Sequence, residues 1–138
     1  MSEVDALQTA LAAEHAAVYV YGALGAQTSQ SARPALFAAL EAAYVVHRDR
    51  RDRLVSDLTS LDAVPVPAEP AYRLPADLDS AEVVTARARD LEAGCAATYA
   101  YCVGSTTGPY RQWAVAALTD AAVRGLGFGA EPEPLPGT

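Results

Sequence analysis

Apolar residues recur at helical spacing in the first part of the chain, and one acidic residue interrupts their stripe. The apolar positions of residues 3–27 are Leu7, Leu11, Val18, Tyr21 and Leu24. Residues three, four or seven positions apart share one helical face, and the many alanines between them favour helix over strand. Glu14 lies in the same stripe, where a solvated glutamate is not expected. The pattern predicts a first helix over residues 3–27 with a carboxylate on its buried face.

A second helix is predicted over residues 32–61, and its buried face carries two basic residues. Residues 31–34 supply an N-cap serine and a first-turn proline. Steps of three and four along one face give Leu40, Tyr44, His47, Arg51, Leu54, Leu58 and Leu61. A basic pair in a core requires partners. We therefore expect His47 and Arg51 to meet carboxylates of other helices, Glu14 foremost.

Four prolines separate the second helix from the third. Residues 62–78 contain Pro65, Pro67, Pro70 and Pro75, so this segment is not helical along its length. Extended at about 3 Å per residue, it reaches about 50 Å, close to the length of the second helix. This match predicts a crossover that returns along the bundle, docked by Tyr72 and Leu74. The alternative is a flexible linker between two helical hairpins.

Two further helices and an extended tail complete the chain. Residues 79–82 (DSAE) form a capping-box-like start for a third helix over residues 79–103. A fourth helix is predicted over residues 109–126, followed by an extended Gly- and Pro-rich tail, residues 127–138. The connections are therefore short, long and short. That order predicts an all-α, ferritin-like four-helix bundle in one domain, residues 1–138, with two antiparallel hairpins joined by a long crossover.

Charge and composition limit the partners. The formal net charge is −7, which disfavours a nucleic-acid partner. Every basic residue is Arg, a compositional bias that lowers the functional weight of the Arg run at residues 48–53. No membrane partner is expected, because the longest apolar run, residues 10–26, is interrupted by Glu14 and is too short to span a bilayer. The acidic N-terminus, residues 1–5, is unlike a secretory leader. Cys95 and Cys102 lie too far apart on the third helix to bridge each other. We expect a cytoplasmic protein.

The polar residues inside the predicted bundle match part of a metal site. Ferritin-like di-metal proteins place one Glu on each of two helices and a Glu-x-x-His pair on each of the other two. Here the first and third helices supply Glu14 and Glu92. The second helix offers His47, with Tyr44 where the pattern has Glu, and the fourth offers Asp120, with a valine where the pattern has His. At most four of the six ligands remain, which indicates a degenerate di-iron site.

Several motifs are spread over nearly the whole chain. They are ALAAEHA at residues 10–16, YVYG at 19–22, HRDRRD at 47–52, AYRLP at 71–75, Leu91-Glu92 followed by Thr98-Tyr99, and LPG at 135–137. Together they resemble the ferritin-like proteins grouped as domain of unknown function 4439. The resemblance implies a ferritin-like bundle, often associated as a dimer, with no established activity to carry over. That family leads us to expect a fourth-helix end bearing Arg and Trp, whereas this chain has GLGFG at residues 125–129.

One interpretation of the buried charges is a metal-free bundle of unknown cellular role. The predicted buried polar network is Glu14, Tyr44, His47, Arg51, Glu92 and Asp120. In this interpretation Arg51 occupies the room of the metal and pairs with Glu14 or Glu92, and no cofactor is bound. The protein is expected to self-associate as a homodimer through Ala- and Tyr-rich helix faces. It would bind a small molecule or a protein partner in the relic site.

The other interpretation is a metal-binding protein or small oxidoreductase. Its ligands for iron, manganese or zinc would be Glu14, His47, Glu92 and Asp120. Loss of one residue from each Glu-x-x-His pair removes a metal ligand and lowers the affinity for an ion. The positive charge of Arg51 also disfavours a cation. Both points favour the metal-free interpretation. The sequence has no phosphate-binding loop or Ser/His/Asp order that would point to other catalytic residues.

Overall fold

Four helices account for most of the chain. The computed structural model describes residues 2–138 and contains α1 (Glu3–Ala26), α2 (Pro34–Ser60), α3 (Ala81–Ser105) and α4 (Gly108–Gly127). No strand occurs among these residues, and each helix boundary lies within two residues of the predicted position. The predicted all-α four-helix fold is confirmed. None of the four helices is long and apolar enough to cross a membrane.

Local signals explain where the helices begin. The Ser2 hydroxyl accepts a hydrogen bond from the Asp5 N–H, and the Asp5 carboxylate accepts one from the Ser2 N–H, which forms a capping box. The Ser80 hydroxyl accepts from the Val83 N–H and thereby caps α3 from just outside the helix. Pro34 opens α2, because the N–H that proline lacks has no intrahelical partner in the first turn.

The segment between α2 and α3 is anchored first to the beginning of α1. The Gln8 side-chain amide donates to the Val64 carbonyl at 2.8 Å and accepts from the Val66 N–H at 2.8 Å. His15, two turns farther along α1, bonds through Nε2 to the Val66 carbonyl at 2.9 Å. The extended backbone thus uses polar side chains of α1 where it has no strand partner.

The same segment then continues to the far end of the α1–α2 hairpin. The Tyr72 ring packs against the Tyr19 ring, with centroids 5.4 Å apart. Near the end of the segment, the Asp79 carbonyl accepts a hydrogen bond from Arg33, which immediately precedes α2. The segment therefore travels the length of α1, and α3 begins beside the beginning of α2. The predicted crossover is confirmed, and the alternative of a flexible linker is wrong.

The core consists of leucines separated by many alanines. Helix α1 packs against α2 and α3, and α3 packs against α4. The largest wholly buried aliphatic side chains are Leu7, Leu11, Leu24, Leu40, Leu54 and Leu58. Wholly buried alanines include Ala6, Ala10, Ala17, Ala43, Ala88, Ala114 and Ala121. Small side chains at helix contacts allow close axial approach, so little space remains around any polar group in the centre.

Helix α4 ends in the glycine-rich segment, residues 125–129. The Phe128 N–H bonds to the carbonyls of the last turn, and Gly129 follows with φ 94°, a left-handed conformation suited to glycine. The Phe128 side chain turns inward, and its ring centroid lies 6.2 Å from that of Tyr21. This arrangement stops the helix at Gly127 and sends the tail back toward α3.

Candidate functional site

A histidine lies between two glutamates in the middle of the bundle. His47 Nδ1 on α2 is 2.6 Å from Glu14 Oε2 on α1, and His47 Nε2 is 2.8 Å from Glu92 Oε1 on α3. All three side chains have no solvent exposure. The two ring nitrogens face different helices, so the imidazole bridges the carboxylates. We call Glu14, His47 and Glu92 the clamp.

Two tyrosines add hydrogen bonds to the clamp, and each reaches from its own helix, α1 or α3, to the glutamate of the other. Tyr99 on α3 donates its hydroxyl hydrogen to Glu14 Oε1 at 2.5 Å, and Tyr21 on α1 donates to Glu92 Oε1 at 2.6 Å. Each tyrosine follows the glutamate of its own helix by seven residues, two helical turns along the same face. The antiparallel α1–α3 pair therefore repeats one Glu-x6-Tyr pattern about His47. The Tyr21 ring also stacks on the imidazole, with centroids 5.3 Å apart.

Buried hydrogen bonds fix the protonation state of the clamp. Burial by itself lowers the pKa of His47, but the hydrogen bonds and charges of Glu14 and Glu92 outweigh it and raise that pKa to about 9. His47 is therefore an imidazolium at neutral pH, and each ring N–H donates to a carboxylate. Burial raises the pKa of Tyr21 and of Tyr99, with the nearby glutamates adding to the effect, so both phenols remain donors.

A second charged group lies beside the clamp and connects α2 with α4. Arg50 Nη2 is 2.7 Å from Asp120 Oδ2, and Arg124 Nη2 is 3.2 Å from Asp120 Oδ1. Arg124 Nε also lies 3.9 Å from Glu92 Oε1, while the Arg50 guanidinium lies over the Tyr99 ring at 5.6 Å. With the clamp, three carboxylates face an imidazolium and two guanidinium groups. This connected network is balanced in charge.

Arg51, the basic residue predicted to enter the core, lies at the surface. It pairs with its neighbour Asp52 at 3.0 Å, and its side chain is 30% exposed, against 11% for Arg50. The buried stripe of α2 runs through Ala43, His47 and Leu54 and takes in Arg50 rather than Arg51. Steps of four-three-four and of three-four-three both approximate the 3.6-residue period. The prediction of Arg51 in the buried network is wrong for this reason.

Tyr44 and Asp120 also lie outside the wholly buried centre. Tyr44 is half-buried and packs beside Gly22 of α1. The approach is close: a Cβ built at Gly22 would lie 3.6 Å from the Tyr44 ring. Asp120 is 38% exposed and is held by Arg50 and Arg124 rather than by the clamp. The structure thus brings together Glu14, His47 and Glu92 of the sequence-predicted set. Asp120 does not contact these three residues directly; it is linked to them through its ion pairs with Arg50 and Arg124.

Comparison with known proteins places this chain in a family. Residues 6–138 match the family described as "Domain of unknown function (DUF4439)". The chain belongs to this DUF4439 family. Its structure is similar to the crystal structure of a conserved hypothetical protein from Mycobacterium tuberculosis, with a TM-score of 0.82 and 30% identity over 91% of this chain and 93% of that one. The curated proteins contain no match.

The clamp geometry of this DUF4439 protein fits one metal ion poorly. A carboxylate occupies each side of the imidazole, so an ion at either ring nitrogen reaches only one of the two glutamates directly. Asp120, the fourth candidate ligand, is neutralised by two guanidinium groups. The predicted ligand set Glu14, His47, Glu92 and Asp120 is therefore not gathered around a single point.

A different set of three groups does come together. One ligand atom each of Glu14, His47 and Cys95 lie within 4.8 Å of one another, and all three residues are buried. Burial raises the pKa of the Cys95 thiol well above its ordinary value, so metal binding there requires the loss of a thiol proton and of an imidazolium proton. Both cysteines are free thiols.

Sequence reasoning missed Tyr21, Tyr99, Arg50 and Arg124 as members of the network. For the tyrosines a signal existed, because the Glu-x6-Tyr spacing occurs on both α1 and α3. The bonds cross from one helix to the other, however, and this depends on the antiparallel register of the pair. For Arg124 the signal was its position four residues after Asp120, the spacing of an intrahelical ion pair.

Proposed function

We propose that this DUF4439 protein is a metal-independent binding protein built on a ferritin-like bundle. In that scheme the protonated clamp replaces the degenerate di-iron site, no metal cofactor is required, and the protein works by binding rather than by metal chemistry. The observation that carries the proposal is the placement of His47, both of whose ring nitrogens are occupied by carboxylates at 2.6 and 2.8 Å.

The charges around the clamp support a metal-free state. Two glutamates without a cation would be costly in a buried centre, and a di-metal bundle would neutralise such a pair with ions. Here the imidazolium bonds both glutamates, and Arg124 lies 3.9 Å from Glu92. Tyr21 and Tyr99 add neutral donors. The negative charge that would attract a cation is already balanced.

Metal content and metal-induced stabilisation test the proposal. The protein is purified without chelator, its metals are measured, and its melting temperature is recorded with and without added iron(II), manganese or zinc. We expect no stoichiometric metal and an unchanged melting temperature, because an ion would have to displace the His47 protons. Stoichiometric metal that is lost in His47→Ala and kept in His15→Ala would contradict the proposal. His15 is a suitable control, because it bonds a crossover carbonyl rather than a carboxylate.

A metal-handling function is favoured by one specific observation, the proximity of Glu14, His47 and Cys95. Carboxylate, imidazole and thiolate together suit zinc or a similar ion. Titration with cobalt(II) tests this alternative, since a thiolate ligand gives an intense near-ultraviolet charge-transfer band. A band that appears in the wild type and is lost in Cys95→Ser, but not in Cys102→Ser, would support metal handling over the metal-independent proposal.

Self-association as a homodimer is part of the same proposal. Helices α3 and α4 carry large apolar side chains at the surface, including Tyr101 at 44% and Val115 at 45% exposure. Sedimentation analysis over a range of concentrations measures the oligomeric state, and a monomer throughout would contradict the dimer. We propose the cytoplasm as the compartment, because two buried free thiols fit a reducing environment.

A further inference from the structure

An apolar groove lies between α3, α4 and the C-terminal tail. Its volume is about 690 Å³, within the range of small-molecule sites. Side chains that line it include Ala93 and Ala97 of α3, Leu118 and Ala122 of α4, and Pro132 and Pro136 of the tail. We call this space the α3–α4 groove.

The tail is fitted closely enough to α3 to form a wall of the groove. Gly137 has φ 80°, and a Cβ at this position would overlap the Ala96 carbonyl group. Only glycine combines this left-handed conformation with such a close backbone approach. The position of the tail, and hence the shape of the groove, depends on the residue at 137.

The charged residues that line the groove are mostly acidic. They are Glu92, Glu131 and Glu133, against one basic residue, Arg89. Arg89 is directed to the Phe128 carbonyl at 3.5 Å. The charge of Glu92 is met within the clamp, but the two tail glutamates still outnumber Arg89, which favours a positively charged occupant over an anion.

Glu92 supplies a second, independent indication of a ligand. His47 and Tyr21 both bond its Oε1 atom, and Arg124 is nearest to that same oxygen. Its Oε2 atom is buried and has no hydrogen-bond partner among residues 2–138. A buried carboxylate oxygen without a partner is costly, and a donor supplied by a ligand would satisfy it.

We propose that the α3–α4 groove binds a small apolar amine, with the hydrocarbon body against the alanine-lined walls and the ammonium group bonded to Glu92 Oε2. The ammonium group provides the donor that Glu92 Oε2 lacks, and its charge is met by the tail residues Glu131 and Glu133. The inference rests on the binding role proposed above and names its ligand class. Glu92 belongs to the clamp and also lines the groove, and its side chain is fully buried, so the amine reaches Oε2 only where the groove wall shifts to admit it.

Three probes with one hydrocarbon body test the ligand class by calorimetric titration in metal-free buffer. They are 1-adamantylamine, 1-adamantanol and adamantane-1-carboxylate, which differ only in the polar group. We expect the amine to bind at least about tenfold more tightly than the alcohol, which corresponds to about 1.4 kcal/mol, and the carboxylate to bind more weakly still. Equal binding of all three probes, or no binding of the amine, would overturn the proposal.

Matched alanine variants locate the binding site. Ala122→Leu fills the groove from α4 and is expected to weaken amine binding at least about tenfold, about 1.4 kcal/mol. Ala116→Leu places the same side chain at an exposed position of α4 outside the groove, and its binding should equal that of the wild type. Equal amine binding in the two variants would overturn the assignment to the groove.

Charge variants test the role of the carboxylates. Glu92→Gln should reduce the preference for amine over alcohol, because it keeps the side-chain size but replaces the carboxylate that accepts from the ammonium group with an amide. Because Glu92 also serves the clamp, the Glu131→Gln/Glu133→Gln double variant gives a second test that leaves the core intact, and its amine affinity should fall severalfold. Unchanged selectivity in folded Glu92→Gln, or unchanged affinity in the double variant, would count against the proposal. Metal content decides the metal-independent role separately, so the two proposals fail by different measurements.

Discussion

The two glutamates of the clamp have nearly the same surroundings but differ in one oxygen. Glu14 bonds Tyr99 through Oε1 and His47 through Oε2, so both of its oxygens are satisfied. Glu92 receives both Tyr21 and His47 on Oε1, and its Oε2 has no partner within residues 2–138. The same Glu-x6-Tyr pattern on α1 and α3 therefore gives one closed carboxylate, Glu14, with both oxygens bonded, and one open carboxylate, Glu92, with one buried oxygen unbonded.

The difference follows from what covers each side. The crossover packs along α1, the helix of Glu14, whereas the α3–α4 groove lies beside Glu92. A carboxylate that serves only to stabilise the core is expected to have both oxygens bonded, as Glu14 does. The unpaired oxygen of Glu92 marks the side on which the clamp can serve a ligand as well.

Removing the imidazole should have the largest effect on stability. In His47→Ala, Glu14 and Glu92 lose their shared cation in a fully buried position. We expect the free energy of unfolding to fall by about 3–5 kcal/mol, measured by urea denaturation. His15→Ala, which removes one bond to the crossover, should lose about 1 kcal/mol. Similar losses in the two variants would show that the clamp contributes little.

Alkaline pH should weaken the clamp without any substitution. The pKa of His47 is raised to about 9 in the folded protein, above the ordinary value of 6.5. The folded state then binds more protons than the unfolded state between these values, so stability is full below pH 6.5 and is lost as pH rises through 9. The expected loss is about 3 kcal/mol, followed by urea denaturation across this range. His15→Gln should keep the dependence, and a flat profile in the wild type would contradict a protonated clamp.

The two tyrosines should differ, because the two glutamates differ. Tyr99→Phe leaves Glu14 Oε1 without its donor and should cost about 1–3 kcal/mol of unfolding free energy. Tyr21→Phe leaves Glu92 Oε1 still bonded by His47 and should cost about 1 kcal/mol. Both variants keep the aromatic ring, so the comparison isolates the hydroxyl groups. A larger loss for Tyr21→Phe would reverse the assignment of closed and open sides.

Much of the fold could be predicted from local patterns. Prolines and the reach of residues 62–78 identify the crossover, since a long connection is unnecessary between adjacent antiparallel helices. The polar residues Glu14 and His47 stand out because they interrupt apolar stripes, and burial of one charge implies the other. Such inferences need only the helical period and the cost of an unpaired charge.

The remaining features depend on relations between distant segments. The exchange of tyrosine bonds requires the register of α1 against α3, which no single stripe specifies. The groove exists because Gly137 brings the tail against Ala96, a contact between segments far apart along the chain. The choice between Arg50 and Arg51 turns on a rotation of α2 by one position, and both residues fit a helical period of 3.6.

That choice between neighbouring arginines gives the smallest of the expected effects. Arg50→Met removes a bond to Asp120 and a contact with the Tyr99 ring, but Asp120 keeps Arg124, so the expected loss is about 1 kcal/mol. Arg51→Met removes only a surface pair with Asp52 and should change the free energy of unfolding by less than about 0.5 kcal/mol. Urea denaturation of the two variants side by side measures the difference. A greater loss of unfolding free energy for Arg51→Met than for Arg50→Met would place Arg51 in the core. Arg50 would then no longer count among the charges that balance Glu14, the closed side of the clamp.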